Sequence, residues 1–171
     1  MASDEAARDG FRREIPAAFN FGGEVVDAWA RERPDDLALV WSDLAGNERR
    51  VTFAEMRTAT NRMTNALAAA GIAKGDRVIV MLPRLPEWQI AMVGRLKVGA
   101  VPIPCIDMLT ARHIACRLEN SEARGAITTA GNVQMFAGAS HLGAHSRSVR
   151  RRAAGRSWAP CWRESPTISR R

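Results

Sequence analysis

Residues 74–104 read KGDRVIVMLPRLPEWQIAMVGRLKVGAVPIP, and this stretch decides the fold. The run at 78–82 is continuously apolar, the pattern of a strand covered on both faces. Pro83 stops it. Pro86 stands where the first turn of a helix tolerates proline, with Glu87 beside the positive helix end. Trp88, Ile90, Ala91, Val93, Leu96 and Val98 fill the helix that follows. Gly99 ends it, and Val101 opens a second strand through Pro104. A strand, a helix and a strand within about thirty residues are one βαβ unit.

The pattern repeats downstream. Thr110 or Asp107 can cap a helix carrying Ile114, Ala115 and Leu118, and residues 125–129, GAITT, form a third strand. Asn132 to Phe136 opens another helix. Such alternation predicts an α/β fold: a mostly parallel sheet, right-handed crossovers, helices on its faces. Upstream, TFAE at 52–55 is a capping box. The helix it starts has Met56, Met63, Leu67 and Ala70 on one face and Gly71 at its end. Before it, residues 37–41 and 48–51 form a hairpin around the turn at 43–47. Val25, Val26, Ala28 and Trp29 mark a short helix ending near Pro34.

The chain has 171 residues and a net charge of +7. Residues 1–140 hold 17 basic and 17 acidic side chains, whereas residues 141–171 hold 8 basic ones and one acid, Glu164. Periodicity stops at the same place. The expected organisation is therefore one incomplete α/β domain at 1–140 and an Arg-rich, unstructured tail at 141–171. No apolar run is long enough for a membrane span, and the N-terminus has no apolar signal core, so the cytoplasm is the expected location. Cys105, Cys116 and Cys161 show neither disulfide-framework nor zinc spacing.

Several short stretches now become specific together. Residues 19–29 are FNFGGEVVDAW, 51–56 VTFAEM, 71–83 GIAKGDRVIVMLP, 86–88 PEW, 96–104 LKVGAVPIP and 117–124 RLENSEAR. In this order they resemble the N-terminal region of the AMP-forming acyl-CoA synthetases of the adenylate-forming superfamily. LPRLPEW at 82–88 is most similar to the medium-chain branch. The resemblance runs from about Phe19 to Ala139 and implies part of the N-terminal subdomain of that fold.

It also implies an ATP-dependent acid–CoA ligase of fatty acid metabolism: carboxylic acid, ATP and CoA give acyl-CoA, AMP and pyrophosphate. ATP, magnesium and CoA are the implied cofactors and substrates of the full-length family. The expectation for this chain alone is that it binds none of them. The family's phosphate loop is Gly- and Ser/Thr-rich and carries a lysine; it lies downstream of GAITT, as does the catalytic lysine. The lysines here, Lys74 and Lys97, fall in a turn and a helix. No catalytic, cofactor-binding or metal residue is therefore carried over. Residues 107–110 lie where relatives approach the CoA channel, without a site being assigned there.

Individual residues read as structural. Trp29, Trp41 and Trp88 are packing side chains, and Met56 and Met63 are helix-face packing. His113 and Cys116 share a helix face as a surface His beside a buried Cys. Arg84, after a parallel strand, is in a place where phosphate can bind, yet the solvated reading is favoured. Gly22-Gly23 has no following Lys-Ser/Thr. The tail has two readings. One is an out-of-frame translation beginning near residue 139: Cys161-Trp162 requires TGY-TGG, which read two nucleotides on gives a Leu codon. With GC-rich codons, residues 156–169 shift to the amphipathic ELGALLAGVADDF. The other is a basic-tailed module for nucleic acid or acidic surfaces, with nucleic acid the less expected partner. A third possibility is a truncated product without function.

Overall fold

A computed structural model describes residues 8, 10, 11, 16–137 and the backbone of 147–149. The βαβ pattern of the central stretch forms as expected. Strand β3 (Arg77–Met81) leads to a helix over Pro86–Val98, and β4 (Val101–Cys105) follows. Upstream lie a short helix α1 (Asp27–Glu32), hairpin strands β1 (Leu37–Ser42) and β2 (Glu48–Thr52), and α2 (Phe53–Ala69), so the helix at 86–98 is α3. Downstream, α4 (Ala111–Ser121) and β5 (Gly125–Thr129) complete a second unit. A further helix was expected from Asn132; instead a tight 3-10 segment spans Ala130–Phe136.

β1 and β2 pair antiparallel. The main sheet is all parallel, in the order β4-β3-β5-β6. Its last member is β6 (Arg147–Val149), which pairs with Ile127, Thr128 and Thr129 of β5. Those three residues of the expected unstructured tail are therefore strand. The other tail readings, frame and nucleic-acid binding included, fall on residues outside those described.

The strand order explains the two-faced burial of β3. The chain moves from β3 to β4 in one direction and from β4 across β3 to β5 in the other. Crossovers of one hand running in opposite directions must place their helices on opposite faces. Val78, Val80 and Leu82 accordingly pack with Ile90 and Ala91 of α3 and with Met56, Met63 and Leu67 of α2. Ile79 and Met81 pack with Ile114 and Leu118 of α4 and with Phe136. Both clusters need the unbroken VIVML run.

The helices touch closely at one point. A Cβ on Gly94 would lie 2.6 Å from the Cβ and Cγ of Met63 and 3.1 Å from the Thr60 carbonyl, so α2 and α3 approach there because residue 94 has no side chain. The Thr64 hydroxyl donates to the Gly94 carbonyl across the same contact, at 2.9 Å. The capping box forms: Thr52 N donates to Glu55 Oε2 and Glu55 N to Thr52 Oγ1. Gly99 adopts the left-handed conformation (φ 79°) that ends α3.

Candidate functional site

In an open parallel sheet, ligands gather outside the carboxyl ends of the strands, where neighbouring loops leave toward opposite faces. Here that condition holds on both sides of β3. Its outgoing loop, residues 82–85, turns toward α3 on one face. The loops from β4 and β5 turn toward α4 and the 3-10 segment on the other. The carboxyl edge of β4-β3-β5 is therefore the candidate site.

The loop at 82–85 is held from two sides. Leu85 N donates to the Pro83 carbonyl at 2.7 Å, making the turn tight. Trp41 of β1 donates its indole Nε1–H to the Arg84 carbonyl, also at 2.7 Å. Arg49 of β2 pairs with Glu87 in the first turn of α3 at 3.0 Å, half-buried, while Glu87 Oε2 is buried without a partner among the described residues. Thus the hairpin clamps the β3–α3 loop, and the Arg84 side chain projects into solvent with no partner among the described residues. The β4–α4 loop presents Ile106 at 64 % and Met108 at 84 % exposure, with Asp107 also exposed. At the end of β5, Thr128 is buried and its hydroxyl makes no hydrogen bond among the described residues.

Both lysines have structural positions away from this edge. Lys97 Nζ lies 2.5 Å from Asp27 Oδ1 and 2.7 Å from Asn61 Oδ1, and its side chain is only 8 % exposed. Gly22 makes room for its stem: a Cβ there would stand 2.4 Å from Lys97 Cγ. A π-helical turn over Gly22–Val26 precedes Asp27, and Asn20 Nδ2 donates to the carbonyls of Leu96 and Lys97. Gly22-Gly23, read as no nucleotide loop, thus fits the segment at residues 20–26 onto α3. Lys74 lies in the turn entering β3, at the opposite, amino end of the sheet.

Among the other residues singled out, Met56 and Met63 are buried core. Trp88 packs on the core and Trp29 stacks on Phe53 at 5.8 Å with Arg33 above it. The reading of His113 and Cys116 needs correction. Cys116 is exposed, because Ile114 and Leu118 supply the inward face of α4; the buried cysteine is Cys105. Its burial pushes the thiol pKa up, partly offset by Arg117. His113 serves as a helix-capping acceptor for Thr110.

Sequence reading did not foresee Arg95. It is 7 % exposed, donates from Nη1 to the Ala100 carbonyl at 3.0 Å, and its Nε is buried without a partner among the described residues. Burial pushes its pKa down. Nothing in the spacing of α3 separates it from a surface arginine. Among the described residues, no group of three or more His, Cys, Asp or Glu could hold a metal ion.

Comparison with known proteins fits this geometry. The residue profile of a family described as AMP-binding enzyme matches residues 26–161, running past residue 140 and through β6. Human "Acyl-coenzyme A synthetase ACSM3, mitochondrial" is 38% identical over 130 residues, 72% of this chain and 22% of that protein. Rat "Acyl-coenzyme A synthetase ACSM5, mitochondrial" is 35% identical over 124 residues, 69% of this chain and 22% of its own length. The chain thus spans about a fifth of the length of the curated relatives it matches. Among solved structures, a Brucella canis acyl-CoA synthetase superposes with a TM-score of 0.75 over 93% of this chain and 30% of its own, at 24% identity, a likeness of fold. The inhibitor-bound N-terminal domain of FACL13 from Mycobacterium tuberculosis gives 0.61 at 29% identity, over 71% of this chain and 29% of that one.

Proposed function

Since the chain belongs to the AMP-binding enzyme family, we propose that it supplies the N-terminal scaffold of an AMP-forming acid–CoA ligase and does not itself catalyse the reaction. In the full-length enzymes, the acid is activated by ATP as an acyl-adenylate and then passed to the CoA thiol. That chemistry needs backbone amides and a lysine around the triphosphate, with magnesium on its charge.

The residues present here do not fit a triphosphate–magnesium group. The observation that carries this reading is the use of the lysines. Lys97 of α3 is held by Asp27 of α1 and Asn61 of α2, and Lys74 sits at the amino end of the sheet. At the carboxyl edge Arg84 follows β3 and is exposed, Arg112 stands exposed in the first turn of α4, and Arg49 is paired with Glu87. Separate guanidiniums in solvent do not make the closed, donor-rich cradle that developing phosphate charge requires. The chain's own contribution is architectural: two cores, one on each face of β3, and a loop at 82–85 fixed by the hairpin.

The reading is tested by calorimetric titration of the 171-residue chain with Mg·ATP. We expect no saturable heat up to about 1 mM, a concentration that would reveal even a site worth about 4 kcal/mol. A stoichiometric isotherm abolished by Arg84→Ala would overturn it and make Arg84 a phosphate contact.

A further inference from the structure

We propose that His113 makes the β4–α4 loop, on the carboxyl edge of the sheet, an acid-sensitive hinge. The geometry of one helix cap carries this, independently of the function proposed above.

Helix α4 begins at Ala111 with Thr110 as its N-cap. The position three residues on, where a capping box ordinarily has Glu or Gln, is His113. The Thr110 backbone N–H donates to His113 Nδ1 at 3.4 Å, and the Thr110 hydroxyl lies 3.1 Å from the same nitrogen. Nδ1 can accept from a backbone N–H only while it carries no proton. The hydroxyl contact can reverse its direction; the backbone contact cannot. A carboxylate or amide in this position would hold the cap at any pH near neutrality. An imidazole holds it only in the neutral form.

The surroundings add to the effect. The first turn of α4 has no acidic residue to offset the positive end of the helix. Arg112 precedes His113, and Arg117 donates from Nη1 to the His113 carbonyl at 3.2 Å. Asp107 is the one acid in residues 106–117, and the 3-10 segment packed against α4, AGNVQMF, carries no charge. A proton on His113 therefore removes an acceptor and adds positive charge to an already positive helix end. The cap is present at higher pH and lost as His113 is protonated. The segment released is the loop carrying the exposed Ile106 and Met108.

The test is amide hydrogen exchange of residues 110–113 in the 171-residue chain at pH 7.5 and 5.5, corrected for intrinsic rates. Protection should fall by about fivefold at the lower pH, the typical worth of one cap. His113→Gln, whose side-chain carbonyl can fill the same role without titrating, should keep protection at both values. His113→Ala should lack it at both. Imidazole nitrogen shifts give a second measure: at pH 7.5 His113 should be the Nε2–H tautomer, with Nδ1 bare. An identical pH dependence in wild type and His113→Gln overturns the proposal, as does an Nδ1–H tautomer at pH 7.5.

Discussion

Lys97 shows how much one side chain decides in this fold. It joins α1 and α2 to α3 through Asp27 and Asn61, and Gly22 is the residue whose missing side chain admits its stem. Removing one partner of a buried pair leaves the other charge without compensation. Lys97→Met should lower stability by about 2–4 kcal/mol in urea unfolding, and limited proteolysis should then cut first within residues 16–33. A loss below roughly 0.5 kcal/mol would place the pair among ordinary surface contacts. Cysteine chemistry gives a second check. Cys116 is exposed, whereas Cys105 is buried with its thiol pushed up, so it holds less thiolate at a given pH. At pH 7.5, peptide-resolved mass spectrometry should find alkylation of Cys116 faster than that of Cys105 by about tenfold or more. Raising the pH should remove the part of the gap that comes from the raised Cys105 pKa and leave the part that comes from burial. At this scale the sequence was partly legible. Thr52 and Glu55 announce their cap because both residue types at that spacing have one common use. Lys97, Arg95 and His113 were opaque, since their partners come from distant segments or from an unusual residue in a familiar role.

The elements were more legible than their side chains. The VIVML run, Pro86 and Gly99 each act locally, through burial pattern, fixed φ and left-handed φ, so β3, α3 and the start of β4 stand where they were expected. The 3-10 segment replaced an expected helix because AGNVQMF has no strong periodic face and its tight turns bury only Phe136. Strand β6 was missed because its three residues are too few to show a period and sit among arginines. β4 holds a further lesson. Its register with β3, and the bond from Val101 N to the Asp76 carbonyl, turn the odd-numbered residues toward β3. Pro102 and Pro104 then face away, so the outer edge of β4 offers no N–H at either position. Proline on an edge strand blocks pairing with other chains. The double variant Pro102→Val, Pro104→Val should restore two donors and raise self-association, read as a larger apparent mass by light scattering. An unchanged monomeric mass at equal concentration would show that something else protects this edge.

For the whole molecule, the topology accounts for the scaffold and for its limits. Opposite crossovers from β4 and β3 build one core on each face of the sheet and leave diverging loops at its carboxyl edge, the place where open parallel sheets receive ligands. The site was less legible than the fold because what matters chemically there is which residues are elsewhere: Lys97 of α3 is held by Asp27 and Asn61, and Lys74 is exposed in the turn at the amino end of the sheet. The chain spans about a fifth of its curated relatives, and the scaffold reading concerns these residues alone. It is tested most directly by acid-dependent ATP–pyrophosphate exchange with the purified 171-residue chain, using medium-chain fatty acids and magnesium. The account predicts exchange no faster than in the absence of protein. Exchange that depends on the acid and scales with the concentration of this chain would contradict it.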